Sequence, residues 1–169
     1  MGKKIITFII FFTFLTAFCF AKDPVEGYWL SIDDQTESIS AGWHIYQDGG
    51  KLYGMILSMA AYSKDVLAEY CRDSYQGFPI SGMVSQMPVV GTPWIFGLTL
   101  NRNDEWSGGN IINPEDGRMY RCRIIFRPAD GRRFLTDTLE VRGEIGLGIG
   151  RSQFWRRTDR QSAESLGPQ

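Results

Sequence analysis

The chain has a single histidine, His44, three cysteines, and no C-x-x-C or H-x-x-x-H spacing. A zinc site needs three or four such ligands at characteristic intervals, so neither a metal nor any other cofactor is expected. One histidine also restricts nucleophilic catalysis. A serine or cysteine relay would have to pass through His44, which falls inside a β-patterned run, and no G-x-S-x-G elbow is present. Excess charge of either sign is missing too, with 18 Lys and Arg against 19 Asp and Glu. Such a balance gives no electrostatic footprint for nucleic acid or an anionic membrane surface. Helical periodicity is scarce, and there is no internal repeat or low-complexity linker.

The one long apolar run spans Ile5 to Phe20, after Lys3 and Lys4 and before Ala21, Lys22 and Asp23. That order is the n-, h- and c-region of an export signal, and the run is shorter than the ~20 apolar residues of a spanning helix. Cleavage is expected near Ala21, giving a periplasmic or secreted protein that is not integral to the membrane. Lipid attachment at Cys19 is the weaker alternative, because bulky Phe18 stands where a small residue is required; an uncleaved anchor is the other. The expected organisation is therefore a signal peptide over 1–21, one β domain over 22–158 and a disordered polar tail over 159–169. A domain of this length can bury its own core without metal or disulfide support.

Cys71 and Cys122 remain after processing. An oxidising compartment and an even count predict that they pair, with loop-closure entropy worth ~4 kcal/mol. The alternative is two buried thiols, since cysteine packs as a small hydrophobe.

Short β-rich runs with turn chemistry between them predict a sandwich or barrel. "GYWLSI" (27–32) reads as a first strand, and "GWHIYQDGGKLYGMILSM" as a hairpin turning at Asp48-Gly49-Gly50. In "PWIFGLTLN", period-two alternation puts Trp94, Phe96, Leu98 and Leu100 on one face. "RMYRCRIIF" sets Tyr120, Cys122, Ile124 and Phe126 opposite Arg121 and Arg123. Leu139, Val141 and Ile145 alternate with polar residues before "GLGIG" (146–150) turns the chain into a last strand, "RSQFWRRT". "MAAYSKDVLAEYCRDSYQG" (59–77) breaks the β rhythm and reads as a short helix or long loop across one barrel end. Trp106 in "NDEWSGGN" (103–110) reads as a core tryptophan, with glycines for close backbone approach, or as a surface platform for a sugar ring.

The succession "DPVEGYW", "IYQDGGKLYGMI", "GFPISGM", "EWSGGNIINPEDGRMYRCRI" and "LEVRGEIGLGIGRSQFW" resembles the domain-of-unknown-function 2147 family of small exported bacterial proteins. The resemblance covers nearly all of the mature chain but implies no activity, because that family has none assigned. Gly27-Tyr28-Trp29, with arginines in the final strand, also looks like the lipocalin-type signature, in which an early tryptophan packs under a late arginine and closes the barrel floor. This implies an all-β, antiparallel barrel of about eight strands, with Trp29 and a final-strand arginine at its closure; Arg151, Arg156 and Arg157 are the candidates, Arg156 facing opposite to the other two. A guanidinium can stack on an indole while donating to nearby carbonyls.

Carboxylates occur in pairs, including Glu140 and Glu144, which share a face with Arg142. Glycosidase-type chemistry needs two of them across a cleft, and the pattern gives no sign of one. The function expected is a non-catalytic binding module for a small apolar or amphipathic ligand such as a lipid, with Trp94, Phe96, Leu98 and Tyr120 as pocket wall. An envelope protein that binds a protein or glycan through its surface is the second expectation, and a carboxylate hydrolase the third.

Overall fold

The computed structural model describes residues 22–33, 35–101, 103–146 and 148–168. The signal peptide expected over 1–21 lies outside them. Eight strands follow in chain order: β1 (Gly27–Ile32), β2 (Ile39–Asp48), β3 (Lys51–Met59), β4 (Pro93–Leu100), β5 (Glu105–Ile112), β6 (Met119–Arg127), β7 (Thr138–Gly146) and β8 (Ile149–Thr158). Each is antiparallel to the next, and β8 returns to β1 through Tyr28–Thr158, Trp29–Arg157 and Leu30–Arg156, so the sheet closes into the barrel expected from the sequence. Closure leaves no unpaired sheet edge.

Alternation builds most of the wall. In β1, Gly27, Trp29 and Ser31 are buried while Tyr28, Leu30 and Ile32 are partly exposed. Between β2 and β3, Asp48 pairs with Lys51 across Gly49 and Gly50, whose φ values of 55° and 74° suit a two-residue hairpin of mirror-image type.

β4 departs from the alternation read in its sequence. Gly97, at φ 75°, shifts the register, so that Leu98 pairs with Leu52 but Ile95 with Gly54. A bulge of this kind reverses which side chains face inward. Ile95 and Leu98 point into the lumen, and Trp94 and Phe96 point outward. There Phe78 packs on both, with ring centroids 6.2 Å and 5.4 Å away. The one-face expectation for Trp94, Phe96 and Leu98 is thus corrected.

β5 pairs with β4 and β6 but is hard to see in the sequence, because Gly108 (φ 81°) bulges it midway. Trp106 is a core residue, not a surface platform, and its Nε1 donates to the Asp23 carboxylate at 3.2 Å. A Cβ on Gly109 would come within 2.3 Å of the Phe96 carbonyl oxygen, so the close approach of β4 and β5 requires glycine.

The stretch from Met59 to Gly77 is loop rather than helix. It belongs to the long β3–β4 connection, whose one helical turn is of the 3-10 type at Val84–Gln86. This connection buries the outer face of β4 and braces the β5–β6 turn, where Tyr75 donates its hydroxyl to the Gly117 carbonyl at 2.6 Å.

Two further expectations are corrected. The tail is not frayed: α1 (Arg160–Glu164) is capped by Asp159, which accepts from the Ser162 amide, and Ala163 is fully buried against the barrel. A five-residue helix is unstable alone; this one is held by docking. Ser58 Oγ donates to the Ala163 carbonyl at 2.7 Å, and a Cβ on Gly42 would come within 1.9 Å of that oxygen. Cys71 and Cys122 are separate buried thiols, not a bridge. Cys122 faces the lumen from β6, whereas Cys71 lies in the β3–β4 connection against the Pro114 carbonyl.

Candidate functional site

The two ends of the barrel differ. At one end β1 begins and β8 finishes, and residues 23–26 plug the lumen. Val25 is buried there and its carbonyl accepts from Trp29 Nε1 at 2.9 Å. Arg157 lies over the Trp29 ring, 4.2 Å from its centroid, and donates to the Pro24 and Glu26 carbonyls. The Asp137 carboxylate stands 3.5 Å from Arg157 Nε. Above this plug Ile45, Leu52, Leu98, Trp106, Ile124 and Leu139 fill the lower lumen, all of them buried.

The other end is hollow. A cavity of about 510 Å³ opens there, within the usual range for small-ligand pockets. Its floor is a stacked pair, Trp43 on β2 and Trp155 on β8, with centroids 4.7 Å apart. Both indole N–H groups are occupied: Trp43 donates to Ser31 Oγ at 3.2 Å and Trp155 to Gln153 Oε1 at 3.1 Å. With their donors engaged by Ser31 and Gln153, which line the cavity on the mouth side, the rings offer carbon to whatever enters. Ile56, Ile111, Val141 and Tyr120 line the walls. Gly143 on β7 keeps one side open, since a Cβ there would sit 3.5 Å from Tyr120 Cβ, in space now empty.

Polarity is concentrated at the mouth, where Asp33, Glu115 and Arg151 lie. The Thr36 and Gln35 amides hold the Asp33 carboxyl below its ordinary range, with a smaller contribution from the Arg151 charge. An apolar body beneath a charged mouth suits an amphipathic molecule.

The residues singled out in the sequence scatter. Tyr120 and Arg151 line the cavity, Leu98 packs in the filled lower lumen, and Trp94 and Phe96 are outside the barrel. Trp29 and Arg157 meet at the plugged end. Arg151 does not join them: it is on the same strand six residues earlier, about 20 Å away at ~3.3 Å per residue. Sequence reasoning missed Trp43, Ile56, Val141, Gly143 and Trp155 as cavity residues. Of these the sequence marks only Val141 as the buried side of its strand, and nothing in a side-chain alternation marks the height at which filling stops.

Glu140 and Glu144 are on the outer wall. Glu140 pairs with Arg127 at 2.7 Å; Glu144 pairs with Arg142 at 2.8 Å and Arg123 at 3.6 Å. They line no cleft. Among the described residues no three His, Cys, Asp or Glu side chains gather where a metal could sit. Burial raises both thiols above their usual range, and it pushes Tyr75 up to about 12.

No curated protein matches the chain. Among solved structures, the barrel is similar to protein HP1028 from Helicobacter pylori, described as belonging to the lipocalin family. The TM-score is 0.61 and the identity 15%, with 81% of this chain and 84% of that chain covered. At that identity the likeness is one of fold. The profile of the family described as "Uncharacterized protein conserved in bacteria (DUF2147)" matches residues 27–157, from the first residue of β1 to the arginine that caps Trp29, and the chain belongs to that family.

Proposed function

We propose that the protein is a non-catalytic carrier, exported to the periplasm or beyond, that holds a small apolar or amphipathic molecule such as a lipid in its open-ended cavity. The observation that carries this reading is the change from filled to hollow at the Trp43–Trp155 floor. A domain that needed only a core would continue packing to the rim, because interiors approach crystal density.

The test is titration with an apolar, environment-sensitive fluorophore. Saturable one-to-one binding is expected. Gly143→Val should weaken it about tenfold or more, a factor of ten being ~1.4 kcal/mol. The glycine has ordinary strand geometry, and its added Cβ meets only van der Waals neighbours, so the variant should fold. Phe96→Ala should bind like the parent, because Phe96 lies outside the lumen. Absence of saturable binding, or unaltered binding by Gly143→Val, would remove the cavity as a ligand site.

Recognition of an envelope protein or glycan by the outer surface has one feature in its favour, a row of rings across β1–β3. Tyr28, His44, Tyr46 and Tyr53 stack in sequence, with centroids 4.9, 5.2 and 5.7 Å apart. The rings face one another, however, which occupies the faces a sugar would use. The cavity is the stronger ground.

A further inference from the structure

Exposed apolar side chains border one side of the cavity mouth. β2, β6 and β8 begin at this end and β7 finishes there, which brings Ile39, Met119, Ile149 and Ile145 to one rim. Ile145 is 71% and Ile149 62% exposed, and both also line the cavity. They flank the glycine turn between β7 and β8, where Gly146 and Gly148 have φ values of 118° and 75°. Single exposed apolar residues are ordinary. Four at the ends of four different strands, beside a hollow lumen, form a patterned surface of the kind that marks an interaction site.

We propose that this rim docks on a zwitterionic lipid surface, seating the mouth against the bilayer so that an amphipathic ligand can pass between membrane and cavity. Its purpose rests on the carrier reading, although docking itself does not. Two features select a lipid surface over a protein. The apolar groups border an opening on its β6–β8 and β2 sides, whereas a protein interface buries a continuous packed core; fluid acyl chains and head groups can meet such a border without leaving a void. The apolar rim also runs into the apolar cavity wall through Ile145 and Ile149, so a ligand crossing between them stays out of water. The charges at the mouth, Asp33, Glu115 and Arg151, are of both signs, which fits a zwitterionic surface and gives no attraction to an anionic one. With only a few side chains inserted, attachment should be weak and reversible, as it is for a single lipid anchor.

Flotation with phosphatidylcholine vesicles tests this, using the chain from Lys22 onward, which contains the whole barrel, its plug and α1. The protein should co-float, equally at low and high salt. The double variant Ile145→Asp/Ile149→Asp should lose binding about tenfold or more, while Leu135→Asp, at the β6–β7 connection and 81% exposed, should retain it. Circular dichroism checks that each variant folds, and Ile145→Gln/Ile149→Gln replaces the double aspartate variant if that one does not. The proposal fails if the parent does not float, if the rim variant floats as well as the parent, or if Leu135→Asp loses as much. Attachment only to anionic vesicles at low salt would also overturn it. So would a parent dimer, seen by sedimentation, that the rim variant disperses without any vesicle binding; the rim would then join two copies. Fluorophore titration in vesicle-free buffer reads the cavity separately. Flotation without fluorophore binding leaves the docking and removes the carrier, and the converse removes the docking alone.

Discussion

Arg157 shows how much one side chain can hold in place. Its planar guanidinium covers Trp29 and donates to two carbonyls of the plug segment. Lysine offers a point charge without the plane or the fork. Arg157→Lys is therefore expected to destabilise by about 1.5–3 kcal/mol, the range for hydrogen bonds to a charged group, as measured by urea unfolding. Arg151→Lys, an exposed change at the other end, should stay within about 0.5 kcal/mol. The cysteines give a second outcome at this scale. Cys71 and Cys122 are buried and separate, and their raised titration leaves little thiolate for reaction. In the native protein neither should be alkylated at pH 8 on the timescale of a denatured control. Reductant should leave the melting temperature unchanged. A shift of several degrees with reductant would mean that a bridge forms after all.

At the scale of elements, β4 and β2 each have an outer face with a consequence. Phe96 on β4 is sealed by Phe78 of the β3–β4 connection, so Phe96→Ala should cost about 3–5 kcal/mol of stability, read by denaturant unfolding, even though ligand binding persists. On β2, His44 stacks between Tyr28 and Tyr46. Burial, with the Lys22 and Arg160 charges nearby, lowers its titration below 6.5, against a smaller opposing effect of Glu26. The unfolded chain therefore takes up a proton at a higher pH than the folded one. Stability should fall as the pH drops from 7.5 through 6.5 toward the folded-state value. The melting temperature should be lower at pH 5.5 than at pH 7.5, and His44→Gln should flatten that slope. As the only histidine, His44 can be isolated in this window, since the depressed carboxylates Asp33, Asp65, Asp130, Glu140 and Asp159 titrate below it.

At the scale of the whole molecule, a closed meander explains why the function should lie at one end. Each strand pairs with its sequence neighbour except β1 with β8, whose pairing joins the two ends of the chain. That closing pair carries Trp29 and Arg157, and the segment just before β1 becomes the plug. One end is thus sealed by the act of closure, and only the opposite end can remain hollow. Outside the wall, Glu105, Arg123, Glu144, Arg142, Arg127 and Glu140 form ion pairs across β5 to β7. Exposed pairs of this kind contribute little each.

From the sequence alone came the all-β class, the family resemblance with the barrel it implies, and the inward side of β6 and β7. These follow from local rules: a side-chain period of two, turn residues that accept positive φ, and a tryptophan and arginine placed near the two chain ends. What those rules could not reach was decided by tertiary structure. Gly97 turned Trp94 and Phe96 outward, Gly42 made room for α1 to dock, and the two cysteines came to rest in separate environments. The boundary between filled and hollow lumen was likewise a tertiary outcome. Alternation says which way a side chain points, whereas bulges, long loops and packing volume depend on neighbours brought from elsewhere in the chain, and only the closed barrel brings them together.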